Sequence, residues 1–290
     1  MSRNAAFISL VSQDRFVGEG RSGPDPIWQR LRDEASAALK TEPVLASLIY
    51  AAILHRPSFE DAVIQRLAKR LASPSISADL LQGAFVEAFE AEPDLGEAFR
   101  ADIAAVVARD PASGRLLEPF LFFKGYAAIQ THRIAHRLWL EGRRDFALYL
   151  QSRSSEVFQT DIHPAARFGK GVFVDHATGL VVGETTVIGD DVSILQNVTL
   201  GGSGIMCGDR HPKIGNGVMI GAGARVLGPI TIGENARIAA GSVVTQDVPG
   251  HSTAVGVPAR IVHHKRDGAQ SEVMDQMLTD LDYDSFTYMI

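Results

Sequence analysis

The chain has 290 residues, 46% of them hydrophobic, and a formal net charge of −6 at pH 7. That length holds one large or two medium domains with a substantial core, and the acidic balance supplies no basic field for nucleic acid. No apolar run reaches the ~18 residues of a membrane span, and the lone cysteine, Cys207, excludes an internal disulfide framework and fits a reducing cytoplasm.

Residues 1–24 read as a loose extension, with Gly18, Gly20, Gly23 and Pro24 among scattered charges. Their apolar patch, Ala5–Val11, has only Arg3 before it and Asp14 and Glu19 soon after, a poor signal peptide. Residues 25–158 read as a helical domain. IWQRLRDEASAALK repeats apolar residues at helical spacing. Ser58 with Asp61, and Asp94 with Glu97, predict capping-box starts, and Pro57, Pro74, Pro93, Pro111 and Pro119 punctuate the helices. Residues 119–142 predict one long, largely buried helix. Its His132 and His136 have the i,i+4 spacing of a metal pair, but no acidic third ligand stands nearby in sequence, so packing is the expected role. Asp110-Pro111 reads by itself as a helix stop.

From residue 159 to 262 the period changes to six. The residues opening each unit are Ile162, Phe168, Val174, Val182, Ile188, Ile194, Leu200, Ile214, Ile220, Val226, Ile232, Ile238 and Val244. All are apolar, and seven are followed by Gly. The fifth positions are small or β-branched, as in Val172, Val192, Val198, Val218, Ala224, Ala236 and Ser242. Period six fits neither an α-helix nor an alternating strand. It fits a three-faced coil in which opening residues point inward and stack on the next turn, with Gly relieving strain at the corners. The step from Val174 to Val182 is eight residues and contains Asp175-His176. The step from Leu200 to Ile214 is fourteen and contains Arg210-His211. Insertions at solenoid corners commonly carry function. Cys207, in the second insertion, has no activating partner in sequence and is read as incidental. Residues 263–290 read as a flexible C-terminal tail, polar and acidic until an apolar end at Ile290. The expected class is therefore α+β: an all-α N-terminal domain, a parallel β-helix, and a tail.

Three strings narrow this further: TDIHPAARFGKGVFVDHATGLVVGETTVIGDDVSILQNVTLGG, DRHPKIGNGVMIGAGARVLGPI, and RDPA at Arg109–Ala112 in the helical domain. Together they closely resemble the bacterial serine O-acetyltransferases of the hexapeptide acyltransferase family. The resemblance runs from about Ile27 to Arg260 and returns at the terminal isoleucine. It implies a left-handed β-helix and transfer of acetyl from acetyl-CoA, as co-substrate, to the L-serine hydroxyl, the first step of cysteine synthesis from serine. A serine hydroxyl must lose its proton as it attacks, and histidine suits that task near neutral pH. The thioester is already activated, so no metal is called for.

By the resemblance His176 is the base and Asp161, fifteen residues before it, orients the ring. Arg210 offers a planar fork for the serine carboxylate, Asp175 takes the ammonium, and Asp110 and His211 surround the amino acid. Ala222 with Gly223, and Ala240 with Gly241, recur eighteen residues apart and predict a smooth strip for the pantetheine arm. Arg260 and Lys265 are candidates for the nucleotide phosphates. The family further implies inhibition by L-cysteine and capture of Ile290 by O-acetylserine sulfhydrylase. It also implies a homotrimer with sites between subunits, two trimers pairing through the helical domains, and a cytoplasmic location. Three rivals stay open: the same fold with a sugar or antibiotic acceptor, a zinc carbonic anhydrase using His163, His176 and His211, and a silent scaffold.

Overall fold

The computed structural model describes residues 25–204, 207–263 and 270–274. Helices come first: α1 (Pro26–Thr41), α2 (Ala46–Ile49, continued by a π-helical turn, Tyr50–Leu54), α3 (Phe59–Leu71), α4 (Ala78–Ala91), α5 (Leu95–Arg109), α6 (Leu117–Leu121), α7 (Lys124–Leu140) and α8 (Arg144–Phe158). The Asp25 carboxylate accepts from the backbone N–H groups of Ile27 and Trp28, at 3.0 and 3.2 Å, and so starts α1. Ser58 caps α3 through the Asp61 N–H at 3.2 Å, as its sequence pattern predicts. The matching expectation at Asp94 fails. Asp94 is already helical (φ −63°, ψ −16°) and makes no side-chain cap, because a cap needs extended backbone at that position. Glu97 instead meets Lys170 at 2.7 Å.

The single long helix expected over 119–142 is two helices, α6 and α7. The chain turns extended at Phe123 (φ −81°, ψ 121°). That break brings the first turn of α7 onto the solenoid, where Gly125 packs against the Val174 carbonyl so closely that no side chain fits. His132 and His136 dock α7 on the first coil: their rings donate to the carbonyls of Ala166 (3.1 Å) and Pro164 (2.7 Å). No group of three or more candidate metal ligands forms among the described residues.

The strands are β1 (Thr160–Ile162), β2 (Arg167–Phe168), β3 (Phe173–Val174), β4 (Leu180–Val182), β5 (Val187–Ile188), β6 (Ser193–Ile194), β7 (Thr199–Gly201), β8 (Lys213–Ile214), β9 (Met219–Ile220), β10 (Arg225–Leu227), β11 (Thr231–Ile232), β12 (Arg237–Ile238), β13 (Val243–Val244), β14 (Ser252–Gly256) and β15 (Ala259–His263). They form three parallel sheets, A (β1-β4-β7-β10-β13), B (β2-β5-β8-β11) and C (β3-β6-β9-β12-β14), with β15 returning antiparallel on β14. The opening residues stack in columns as expected: Ile162, Val182, Leu200, Val226 and Val244 on sheet A. Val174, Ile194, Ile220, Ile238 and Ala254 form the column on sheet C. The β14–β15 hairpin that closes the solenoid carries no hexapeptide signal.

One expectation about glycine needs correcting. The glycines after the opening residues do not adopt positive φ. Positive φ falls two residues later, at Gly171, Asp191, Asn197, Gly217, Gly223, Asn235 and Gly241. The second-position glycines are there because the coils touch: a Cβ on Gly221 would lie 2.6 Å from the Ala240 nitrogen, and one on Gly215 2.8 Å from the Glu234 nitrogen.

The helical layer and the solenoid have separate main cores, joined by apolar contacts through Ile129 of α7 and through Phe173 on Ala105 and Val106 of α5, and by buried charge. Asp102, 0% exposed, accepts from Gln130 (2.9 Å), from Arg133 twice (2.8 and 3.0 Å), and from the Val172 N–H (2.9 Å). Arg109 reaches from the end of α5 to the Gly171 carbonyl (2.9 Å) and to Asp191 (2.9 Å). The Asp102–Arg133 pair, buried on both sides, stabilises only while both partners and their hydrogen bonds are complete. Arg109, itself buried and held by Gly171 and the exposed Asp191, fixes the residue after it, which is Asp110. Beyond β15, a single turn, α9 (Gln270–Val273), docks through Ser271 on Gly217 (3.1 Å) and Ser193 (3.0 Å).

Candidate active site

The register explains why His176 projects. On the sheet C side Asp175 aligns with Leu195, since its N–H donates to the Ile194 carbonyl. On the sheet A side Thr178 aligns with Gln196, since its carbonyl accepts from the Asn197 N–H at 2.7 Å. The two residues left over are His176 and Ala177. They are the surplus of the eight-residue step, extruded at the corner between the two sheets. Both have positive φ, 54° and 61°, which costs about 1–2 kcal/mol for each residue with a Cβ. Two successive three-residue turns close the bulge: Ala177 N–H to Asp175 O at 2.6 Å and Thr178 N–H to His176 O at 2.7 Å. The His176 side chain is 73% exposed as a result.

The bulge edges a cavity of about 400 Å³ between the solenoid and the helical layer. Asp110, Phe123, Lys124, Gly125, Asp175 and His176 line it. Asp110 ends α5, and one of its oxygens accepts from the Ala112 N–H at 2.8 Å. Asp175 stands 3.8 Å from the His176 Nε2. Burial lifts the Asp175 carboxyl above its usual range, His176 opposes the lift, and the Asp110 carboxylate adds to it. Two carboxylates facing one cavity make it a place for a cation.

Asp161 lies elsewhere. It is on the outward side of β1, and its Oδ1 accepts from Gln151 at 2.6 Å. No hydrogen bond joins it to His176 among the described residues; its charge acts on His163 instead. Arg210 and His211 lie at the other margin of sheet A, in the insertion between β7 and β8. Thr185 organises them: its Oγ1 accepts from both backbone N–H groups at 3.1 Å. Arg210 also holds Glu184 at 2.8 Å. His211 is buried against Gly183, where a Cβ would fall on the ring. Its Nδ1 accepts from the Thr185 N–H at 3.2 Å, so the neutral ring carries its proton on Nε2. Burial, then the Arg210 charge, lowers the His211 pKa and favours that neutral form.

The small-residue strip runs down the same corner as the bulge. Gln196 lies under Thr178, at the end of the bulge, then Ala222, then Ala240. The Gly223 N–H donates to the Gln196 carbonyl (2.9 Å) and the Gly241 N–H to the Ala222 carbonyl (2.8 Å). Ala240 and Gly241 are exposed, and Ala222 and Gly223 half-buried. Arg260 is exposed on β15, at the foot of the solenoid. Lys265 and Ile290 lie outside the described residues. Lys124, Gly125, Thr185 and Gln196 escape sequence reasoning, because each takes its place from a partner far along the chain or on another coil. Arg109 stands in the RDPA string, but its role as an anchor on Gly171 and Asp191 depends on the solenoid coming to it.

The family described as serine acetyltransferase, N-terminal, matches residues 27–131, and the bacterial transferase hexapeptide family matches residues 211–246. A curated serine acetyltransferase of Salmonella typhimurium is 51% identical over 250 residues, 86% of this chain and 92% of that protein. The crystal structure of serine acetyltransferase in complex with coenzyme A from Brucella abortus strain S19 is 56% identical. It superposes with a TM-score of 0.83 over 84% of this chain and 98% of its own. A serine acetyltransferase in complex with cysteine superposes with a TM-score of 0.85 at 48% identity, over 86% of this chain and 97% of its own. With such identity over nearly the whole described fold, the chain belongs to the serine acetyltransferase family.

Proposed function

We propose that the chain transfers acetyl from acetyl-CoA to the hydroxyl of L-serine, giving O-acetyl-L-serine and CoA. The observation that carries this reading is the cavity that sets His176 beside two carboxylates at the head of a small-residue groove. His176 takes the serine hydroxyl proton as the oxygen attacks the thioester carbonyl. The tetrahedral intermediate collapses, the C–S bond breaks, and the imidazolium returns its proton to the CoA thiolate. Asp110 and Asp175 hold the substrate ammonium. The pantetheine arm lies along Ala222, Gly223, Ala240 and Gly241, with the phosphates toward Arg260 and Lys265. The coenzyme A complex of the Brucella relative supports that co-substrate. Nothing in this route calls for a metal.

The residues for the serine carboxylate, Arg210 and His211, and the orienting Asp161 do not meet His176 within one chain. A homotrimer packed through the outward side of sheet A would bring one copy's Arg210 margin to the next copy's His176 margin. The exposed Val181 on that side, 39% accessible, supports such packing, and two trimers pair through the helical regions. L-cysteine carries the same ammonium and carboxylate as serine. It therefore competes for the site as a feedback inhibitor; the cysteine complex of a relative supports this. The product feeds cysteine synthesis, and the segment at Ile290 anchors O-acetylserine sulfhydrylase. No helix among the described residues is long and apolar enough to cross a membrane.

The test is CoA release from acetyl-CoA with L-serine, other amino acids, sugars and amine antibiotics as acceptors. L-serine should exceed all others, and His176→Ala should lower turnover by about 10²–10⁴-fold while acetyl-CoA still binds. Preference for a sugar or an antibiotic, or near-normal turnover in the folded variant, would overturn the reading.

A further inference from the structure

The His176 bulge does not hold itself. Its two residues occupy the left-handed region, and its own closing bonds span only three residues each, the smallest and most strained kind of turn. Something outside the bulge must over-determine it. On the solenoid side the Gly179 N–H donates to the Gln159 carbonyl at 2.9 Å, and Asn197 meets the Thr178 carbonyl at 2.7 Å. On the helical side, one side chain hydrogen-bonds to Thr178 among the described residues. Lys124, the first residue of α7, donates from Nζ to the Thr178 Oγ1 and to the Gln159 Oε1, the latter at 3.0 Å. Thr178 is the residue that ends the bulge. Gln159 is itself left-handed (φ 60°) and ends α8. Lys124 thus ties together two departures from ordinary backbone and lines the cavity that His176 edges. The neighbouring Gly125 fixes where that lysine starts, since it rests directly on Val174.

We propose that Lys124 is a positioning residue: a strap from the helical layer that holds the His176–Ala177 bulge in its reactive geometry through Thr178 and Gln159. It does not exchange a proton with substrate. The proposal rests on the acetyl-transfer reading for what His176 does, and on geometry alone for what Lys124 holds. Removing the ammonium leaves the groove and the cation-binding carboxylates in place but lets the bulge relax. The expected signature is therefore a loss in turnover without a matching loss in acetyl-CoA affinity.

The experiment uses the full chain in a Cys207→Ser background, whose activity is the reference. Lys124→Met should lower kcat about 10–10²-fold, as expected when a catalytic group drifts by about an ångström, with the KM for acetyl-CoA changed less than about twofold. Amide exchange in a peptide covering residues 173–180 should quicken about tenfold, while peptides from α7 and the later coils keep the parent rate. Lys124→Cys alkylated with 2-bromoethylamine rebuilds a lysine-like ammonium and should restore both. Unchanged exchange at the bulge, or kcat within twofold of the reference, overturns the strap. So does failure of aminoethylation to restore either quantity. A reference protein with no serine-dependent turnover whose bulge still loosens in Lys124→Met supports the strap and rejects the acetyl-transfer reading.

Discussion

Gly125→Ala tests the junction between the two halves of the molecule. A Cβ at this position would stand 1.9 Å from the Val174 carbonyl oxygen and 3.0 Å from its carbon. Both neighbours are backbone, so no rotamer change relieves the clash. Either the first turn of α7 or the Val174–Asp175 strand must retreat by at least about 1 Å, and either movement shifts the floor of the cavity beside His176. Overpacking of this kind costs about 1–3 kcal/mol, and a displacement of that size at the chemistry costs about 10²-fold in rate. The control is Gly83→Ala in the middle of α4, where a Cβ meets nothing within 4 Å. It should stabilise the fold by about 0.5–1 kcal/mol, through helix propensity alone, and leave turnover unchanged. Urea unfolding and serine-dependent CoA release on both variants give the four numbers. A Gly125→Ala protein with parental turnover and parental unfolding midpoint would refute the packing argument.

Gly183→Ala puts a methyl group where the His211 ring lies. It should raise the KM for serine several-fold and spare acetyl-CoA binding by calorimetry; an unchanged serine KM would separate His211 from the substrate site. His132 is fully buried, and burial holds its pKa well below the usual 6.5. The unfolded chain therefore binds a proton there that the folded chain refuses. The stability tied to a neutral His132 is present above about pH 6.5 and is lost as pH falls below it, with a slope of at most about 1.4 kcal/mol per pH unit. His132→Gln should flatten the stability profile between pH 5 and 7 measured by urea unfolding, and an unaltered slope would assign the acid sensitivity to other groups. Deleting Met289 and Ile290 should abolish calorimetric binding to O-acetylserine sulfhydrylase with acetyl transfer nearly unchanged; retained binding would reject the tail as anchor.

The solenoid was legible because its order is local. An opening residue such as Ile220 is buried by its own strand's register on Ile194 and Ile238, and that register repeats in the sequence. What escaped was set by contacts between distant segments. The break at Phe123 exists because Gly125 must reach Val174, and nothing within residues 119–142 announces that. Asp94 carries the letters of a cap, but the preceding turn has already wound its backbone. The second-position glycines are legible as a pattern but not as a cause, because coil-to-coil clearance and positive φ leave the same letter in the sequence. At the site, Asp175-His176 stood out at a break in the repeat. Lys124 and Thr185 did not, since each is an unremarked polar residue until the fold supplies its partners.

The corner that carries His176 is also a ruler. Every coil adds about 4.8 Å along the solenoid, so the extruded histidine stands three coil steps, about 14 Å, from the level of Ala240 and Gly241. Substrate reach is thereby counted in whole coils and cannot be adjusted continuously. Duplicating the eighteen-residue turn from Ala222 to Ala239 would keep every inward column filled. On the route proposed for the arm, it would also move the phosphate end one notch away from the histidine, leaving an intact arm too short to present its thioester. Evolution along this edge can change the acceptor by altering loops and helices, but a co-substrate of different length requires an integer change in the fold.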